Sequence, residues 1–395
     1  MKLLLSAFLT FTIFFQASAQ NITANTTVST IRIAEPTPFI TLKRGEIHRY
    51  DFDLKKGNRY VFSVMQNGID VELRLVDSNG KQLAQKDSPN GKQGLEKLAY
   101  LAPFNGKYQL QISAFDEEAN SSEGKYEAYV AEQSAALVAD LEKENKKNIQ
   151  TLDIDHFWEA YDNLKNCKTR RDSVLSFQTL YIDRATEGFE DFLAARGFTA
   201  SEYLSIIKKA PKFYESIRAN TLATKQAAPL IQEVFDKFSA LYPNFKPFKV
   251  NFAIGTLRTG GTVSNNYVLI GAEISTANNQ TDLSELINSP LGKVMARDES
   301  VEQIIKNIVA HECVHTQQTQ TFDPDAEKCN LLTAVLMEGM CDFVGELIAG
   351  GQIKTAAVRT TGCPTAATMS ATRTARVPTS WPAIRASPAF PGSAT

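Results

Sequence analysis

Two histidines four residues apart constrain the fold of this chain more than any other feature. Residues 311–315 read His-Glu-Cys-Val-His and contain two of the four histidines in the sequence. Four residues make just over one helical turn, so a helix points both imidazoles the same way, where they can bind one metal ion. Glu312 then lies beside that ion, placed to take a proton from a metal-bound water. We predict that His311 and His315 are metal ligands and that Glu312 is the catalytic general base.

The flanking residues predict the helix that this motif requires. Ser300 and Gln303 have the spacing of a capping box at a helix N-terminus, and Ile304 and Ile308 continue as an apolar stripe into the two histidines. Buried paired histidines need partners, and a metal ion is the obvious one. A chance match to a five-residue pattern is the alternative, and the cap and the stripe argue against it.

A second predicted helix, Asn330–Ala349, supplies the acidic candidates. It is apolar on nearly every face, and such a helix is normally buried. It nevertheless carries Glu338 and Asp342 on one face, where a carboxylate without a partner is costly. We predict Glu338 as the third metal ligand and Asp342 as the residue that orients a histidine. Glu346 is a weaker third-ligand candidate, because it lies off that face. The alternative to a metal site is that these acids form the charged face of a half-exposed helix.

The region before the motif is predicted to be mainly helical with a short sheet. Tyr267–Ile274 is typical of a buried strand, and it follows a stretch rich in turn residues. A strand ahead of the metal helix is where a peptide could add by main-chain hydrogen bonds. Further helices are predicted at Ala135 to Lys147, Phe157–Leu164, Phe189–Ala195, Ala200–Lys208 and Gln226–Leu241.

The motif and the later acidic pair carry a family resemblance. His-Glu-x-x-His followed by Glu338-x-x-x-Asp342 resembles the gluzincin class of zinc metallopeptidases. Residues from about 150 to 350 resemble an uncharacterised family of predicted zinc-dependent proteases. The matching stretches are Leu241-Tyr-Pro243, Ile254-Gly-Thr, Gly260-Gly-Thr262, His311 to Gln318 and Glu338-Gly339. The resemblance implies Zn²⁺ as cofactor, His311, His315 and Glu338 as its ligands, Glu312 as the base and a peptide or protein as substrate.

Residues 37–133 are predicted to form an antiparallel β-sandwich. Short runs alternate between apolar and polar residues, and turn pairs such as Asn67-Gly68 and Asn105-Gly106 separate them. The predicted strands are Tyr50–Phe52, Tyr60–Val64, Val71–Leu75, Tyr108–Ile112 and Tyr126–Val130. The stretch resembles the bacterial pre-peptidase C-terminal domain at Gly45-Glu46, Tyr50 to Phe52, Gly57, Asp70, Asp77 to Gly80, Glu96, Ala102-Pro103 and Gly106-Lys-Tyr108. That resemblance implies an accessory module, often attached to secreted peptidases.

The two ends of the chain differ from its middle. Residues 1–19 contain a basic start, an apolar run and an Ala-x-Ala site, which predicts a secretory signal peptide and export to the periplasm or the medium. That run is shorter than the roughly 20 residues of a bilayer span, and we expect no later transmembrane segment. Residues 354–395 lack acidic residues and are rich in Ala, Thr, Pro, Ser and Arg. This composition predicts a disordered tail, or a segment read in a shifted frame.

Composition excludes some classes of function. The net charge is −2 and no basic stripe is present, so nothing favours a nucleic-acid partner. The five cysteines are an odd number, and none of them shows zinc-knuckle spacing. Cys313 and Cys341 are interpreted as small core residues.

These observations predict an α+β multidomain chain. Its parts are a signal peptide (1–19), a leader (20–36), the β-sandwich (37–133), a mainly helical zincin-like metallopeptidase domain with a short sheet (134–353) and the tail (354–395). The expected function is that of an exported zinc-dependent metallohydrolase, a peptidase with a Glu-activated zinc-bound water. The alternative is a non-catalytic exported binding protein with a structural or vestigial metal site, since no Tyr or His follows Glu346 to stabilise an oxyanion.

Overall fold

The structure is a computed structural model that describes residues 30–88, 91–115, 120–318 and 330–350, without the side chains of 330–334. The predicted signal peptide and tail, and Cys329 and Cys363, lie outside these ranges. The chain divides into two compact units, each described by itself below. The units are Met1–Ser205 with Asn251–Ala253, and Ile206–Val250 with Ile254–Thr395. The domain boundaries given above stay a prediction.

The first unit begins with strands that form two four-stranded antiparallel sheets. The strands are β1 (Ile40–Lys43), β2 (Ile47–Leu54), β3 (Arg59–Asn67), β4 (Val71–Asp77), β5 (Gln82–Lys86), β6 (Gln93–Leu101), β7 (Gly106–Ala114) and β8 (Glu123–Gln133). Their order is β1-β8-β3-β6 in one sheet and β2-β7-β4-β5 in the other. A single apolar cluster joins the two inner faces, and within it Phe52 and Phe62 meet edge-on with ring centroids 5.4 Å apart. This arrangement confirms the predicted N-terminal antiparallel β-sandwich.

Alternation along the strands explains why most of the sandwich was predictable. In β2 the side chains of His48, Tyr50, Phe52 and Leu54 are buried, and the residues between them are not. Because a one-residue slip would turn that apolar set to solvent, the pattern also fixes the pairing of β2 with β7. Three strands were missed, and β5 shows why: none of its five residues is fully buried, so its sequence carries no apolar period.

Helices follow the sandwich within the first unit. They are α1 (Ala135–Asn145), α2 (Leu152–Asn163), α3 (Arg170–Leu180), α4 (Glu187–Arg196) and the start of α5 (Ala200–Lys209), with the two-residue strand β9 (Ile149–Gln150) after α1. Aromatic rings fill their core. The ring centroid of Phe157 lies 5.7 Å from that of Phe177 and 5.3 Å from that of Tyr181. α3 was not predicted, and it begins with a full capping box between Thr169 and Asp172.

The second unit carries the histidine motif. Its elements are α6 (Pro211–Ala223), α7 (Ala228–Leu241), β10 (Lys249–Ala253, part of which belongs to the first unit), β11 (Gly261–Val263), β12 (Tyr267–Gly271), α8 (Ala272–Ser275), α9 (Pro290–Met295), α10 (Val301–Gln317) and α11 (Asn330–Ala349). β11 pairs antiparallel with β12, and α10 packs against α7, α11 and β11. Antiparallel sheets followed by a helical region confirm the α+β prediction. No helix in the described ranges combines the length and apolar character needed to cross a bilayer.

Two predictions about these elements were wrong. The strand predicted to reach Ile274 ends at Gly271, and a short helix follows, in which Glu273 accepts hydrogen bonds from the chain before β11. The helix α11 was expected to be buried, yet one face is exposed. The exposed side chains are Val335, Leu336, Met340, Phe343 and Leu347. In the described part of the chain α11 packs against α10 and α7, and these two neighbours cover only part of its surface.

Candidate metal centre

Helix α10 holds both histidines of the motif on one face. Its first turn is capped by the Ser300 hydroxyl, which accepts the N–H of Gln303 at 3.2 Å. Only this half of the predicted capping box is seen, and the Gln303 amide nitrogen donates to Asn307 Oδ1 at 2.8 Å. The rings of His311 and His315 lie with centroids 5.0 Å apart, one helical turn from each other, and His311 is buried. The helix thus presents two imidazoles to a common point.

Helix α11 brings both predicted acidic residues to these imidazoles. The two carboxylate oxygens of Glu338 lie 3.3 Å from His311 Nε2 and 3.6 Å from His315 Nε2. Asp342 lies one turn further on, with its Oδ1 at 2.9 Å from His311 Nδ1. The structure therefore brings His311, His315, Glu338 and Asp342 together, with the two carboxylates of α11 against the ring nitrogens of α10. Glu346, the weaker candidate, makes no such contact with either histidine among those observed.

Gln318 is a member of the site that the sequence did not single out. Its side-chain oxygen lies 3.0 Å from His315 Nδ1, and its amide nitrogen donates to the Met337 carbonyl at 3.0 Å. Its spacing could have indicated this contact, because Gln318 follows His315 by three residues at the end of α10, where the two side chains can meet. Each imidazole thus has an acceptor at Nδ1, and a proton held there would leave the Nε2 lone pair available to a cation between the histidines and Glu338.

Electrostatics at the site favour a bound cation. Burial lowers the pKa of His311, but the hydrogen bond to Asp342 and the negative charges of Glu312, Asp342 and Glu338 outweigh it, so the pKa is raised. Three carboxylates thus surround a buried imidazole, and a divalent ion would balance their charge. Two imidazole nitrogens and a carboxylate are a donor set that suits Zn²⁺.

A thiol offers a second way to complete three ligands. One ring nitrogen of His311, one of His315 and the Sγ of Cys341 all lie within 4.8 Å of one another, which makes these residues a group that could hold a metal ion. Cys341 is buried, as a core residue would be, but it also lies at the site, which the sequence analysis did not foresee. Cys313 is buried too and is not part of the group.

The backbone of β11 lies directly against Glu312. A Cβ atom built on Gly261 would be 2.3 Å from Glu312 Oε1 and 2.7 Å from its Cδ, closer than real side chains approach. Any side chain at position 261 would force Glu312 or the strand to move, and glycine avoids this. Glu312 is itself buried. The resemblance included Gly260-Gly261, but its physical role becomes visible only with the distances.

Glu273 fixes the loop that leads into β11. Its carboxylate accepts the backbone N–H groups of Gly255 at 2.7 Å and Leu257 at 3.1 Å. Leu257 has a φ of +59°, a conformation that a side chain of this type rarely adopts. Burial raises the pKa of Glu273 to about 7, although its N–H donors act to lower it. The loop before Gly261 is therefore held by a buried carboxylate and not by its own sequence preference.

Glu273→Gln is expected to remove part of the pH dependence of folding. Because the folded-state pKa lies above the unfolded value, the folded protein binds more protons between pH 4.5 and about 7, and stability falls as pH rises through that range. The contribution is on the order of 3 kcal/mol. Asp153 and Asp183, whose pKa values burial raises to about 6, act in the same direction in both proteins. Urea unfolding at pH 5 and 8 should show a smaller pH difference for the variant; an equal difference would contradict the assignment.

Asp342→Asn is expected to weaken metal binding by about 10- to 100-fold. The asparagine oxygen can still accept from His311 Nδ1, but it lacks the charge that makes the imidazole a better ligand. Competition with a chromophoric chelator measures the affinity. Glu346→Gln, on the same helix, is the matched control and should leave the affinity unchanged. Equal weakening in both variants would mean that only general charge matters.

Comparisons with known proteins add little to this geometry. No family model and no curated protein matches the chain. Among solved structures, the pre-peptidase C-terminal domain of collagenase from Bacillus anthracis is 20% identical over 27% of this chain and 95% of its own, with a TM-score of 0.22. PliG from Aeromonas hydrophila, a periplasmic inhibitor of g-type lysozyme, is 14% identical over 28% of this chain and 100% of its own, with a TM-score of 0.21. CorA, a surface-associated copper-binding protein of Methylomicrobium album BG8, is 11% identical over 27% of this chain and 98% of its own, with a TM-score of 0.20. Similarities at this level support no statement about family or function, and the β-sandwich rests on its own strand pairing.

Proposed function

We propose that this chain is an exported zinc-dependent metallohydrolase of gluzincin type, and that it hydrolyses peptide bonds. One observation carries the proposal: two imidazoles one turn apart direct Nε2 to the Glu338 carboxylate, with Glu312 next in sequence to His311. Each imidazole also has an acceptor at Nδ1. In this proposal His311, His315 and Glu338 hold the zinc, and Asp342 and Gln318 orient the two histidines.

Each residue then has a defined task. Bound zinc in such a site acts as a Lewis acid and lowers the pKa of a coordinated water to about 7. Glu312 takes the proton of the attacking water and returns it to the leaving amine. β12, the strand to which peptide addition was predicted, has a neighbouring strand on both sides. β11 is the edge strand of the sheet, so in this proposal an extended peptide adds to β11 by main-chain hydrogen bonds.

A second candidate is a non-catalytic binding protein with a structural metal site. The Cys341 thiol favours it, because a fourth protein donor would complete the closed coordination that structural zinc prefers. The two candidates differ in whether the site turns over a peptide.

Hydrolysis of a quenched-fluorescence peptide library by the purified protein tests the proposal. We expect cleavage that phenanthroline abolishes and added Zn²⁺ restores, with little cleavage by Glu312→Gln. The binding-protein alternative predicts metal uptake with no cleavage in either protein. Cleavage that persists with phenanthroline would contradict a metal-dependent mechanism.

A further inference from the structure

We propose that Cys341 is a fourth ligand that closes the metal site and keeps the protein latent until the thiol leaves the ion. This inference rests on the function proposed above and concerns the regulation of the same site. Neither the motif nor the resemblance assigns a role to Cys341. The argument begins from its place on α11, three residues after Glu338, which puts both side chains on the helix face that meets α10.

The distances allow the sulfur to reach an ion held by the histidines. Cys341 Sγ lies within 4.8 Å of a ring nitrogen of both His311 and His315. With Zn–S near 2.3 Å and Zn–N near 2.0 Å, tetrahedral ligand atoms are roughly 3.5 Å apart. A movement on the order of 1 Å therefore brings the sulfur onto the ion. When the metal–sulfur bond forms, the thiol proton leaves to solvent.

Gln318 provides the partner that the sulfur has when it is off the metal. The Gln318 amide nitrogen lies 3.3 Å from Cys341 Sγ, while the oxygen of the same side chain lies 3.0 Å from His315 Nδ1. One carboxamide thus contacts both a ligand histidine and the thiol. The sulfur consequently has two sets of partners within about 1 Å of movement: the amide of Gln318, or an ion between the histidines.

The number of protein ligands decides what the site can do. An ion held by His311, His315 and Glu338 that also took up the Cys341 sulfur would have four protein ligands, and closed sites of this kind are structural. His311, His315 and Glu338 alone leave the fourth position open, as in catalytic sites. Hydrolysis therefore requires the thiolate to leave the ion. Removing the thiol is expected to raise kcat severalfold and to leave the metal bound.

Cobalt substitution tests whether the sulfur is a ligand. The wild type with one Co²⁺ per chain is expected to show sulfur-to-cobalt charge-transfer absorption in the near ultraviolet. Cys341→Ser should lose that absorption and still bind one Co²⁺ through the remaining ligands. Cys313→Ser is the matched control, because Cys313 is an equally buried thiol within the motif, and it should keep the absorption. Circular dichroism checks that both variants fold.

Each outcome has a distinct meaning. Cobalt bound without charge-transfer absorption would overturn the role of Cys341 and leave the proposed function standing. The absorption together with unchanged kcat in Cys341→Ser would overturn latency. No cobalt binding by the wild type, or equal binding by His311→Ala, would overturn both this inference and the proposed function.

Discussion

Glu312→Gln is expected to abolish peptide hydrolysis and to leave metal binding intact. The amide has nearly the shape of the carboxylate, so the packing of Glu312 against Gly261 is retained. It cannot accept a proton from the attacking water, and loss of a general base costs about 10²- to 10⁴-fold in rate. Glu312 is not one of the predicted ligands, so the zinc affinity should stay within a few-fold of wild type. Steady-state kinetics and metal titration measure the two quantities separately.

Glu302→Gln is the matched control for this experiment. Glu302 lies in the first turn of the same helix α10 and is exposed, far along the helix from the motif. Glu302→Gln removes the same negative charge as Glu312→Gln but leaves the residues of the site unchanged. We expect wild-type kcat and metal affinity for this variant. Full activity of Glu312→Gln would rule out the role given to Glu312, and loss of metal would make Glu312 a structural support of the ligands.

Gly261→Ala is expected to cost activity nearly as severely, although it changes no ionisable group. The new methyl group would lie 2.3 Å from Glu312 Oε1, so either the carboxylate or β11 must move. A misplacement of about 1 Å at a reacting group can lower the rate roughly 100-fold. The three atoms nearest to this methyl group all belong to Glu312, so Glu312 and not a histidine takes up the closest clash, and metal binding should persist. Kinetics with the metal content measured on the same sample check both statements.

Gly339→Ala is the control for the glycine substitution. Gly339 follows Glu338 in α11, and a Cβ there meets no atom within 4 Å. Replacing glycine by alanine inside a helix stabilises it by about 0.5–1 kcal/mol. The control should therefore keep full activity and unfold at slightly higher denaturant concentration. Equal activity of Gly261→Ala and Gly339→Ala would contradict the close approach of β11 to Glu312.

The helix that carries the histidine motif was predictable because its sequence signals are local. The Ser300 cap, the apolar stripe and the histidine spacing all lie within one helix, and the structure forms that helix from Val301 to Gln317. The bounds of α11 also agree, since its long apolar run ends at Ala349. Glu338 was chosen because a carboxylate buried on an apolar helix needs a partner. That premise was wrong, since the Glu338 side chain is 56% exposed, although its carboxylate does lie within 3.6 Å of both Nε2 atoms.

The remaining parts of the site depend on distances between segments far apart in sequence. Gly261 contacts a residue 51 positions later, and no local pattern marks that approach. Cys341 reads as an ordinary apolar residue until α11 is placed against α10. Glu273 lies in what looked like a strand, and its role follows from the N–H groups of Gly255 and Leu257. Packing of one element on another decides these positions.

Zinc content of the purified protein beside its His311→Ala variant tests the central claim most directly. The account predicts about one zinc per chain in the wild type and almost none in the variant, because His311 belongs to both donor sets proposed for the site. His156→Ala, which removes a buried histidine in α2, controls for loss of any imidazole and should keep the metal. A folded wild type without zinc after dialysis against excess Zn²⁺, or a variant that keeps it, would contradict the account.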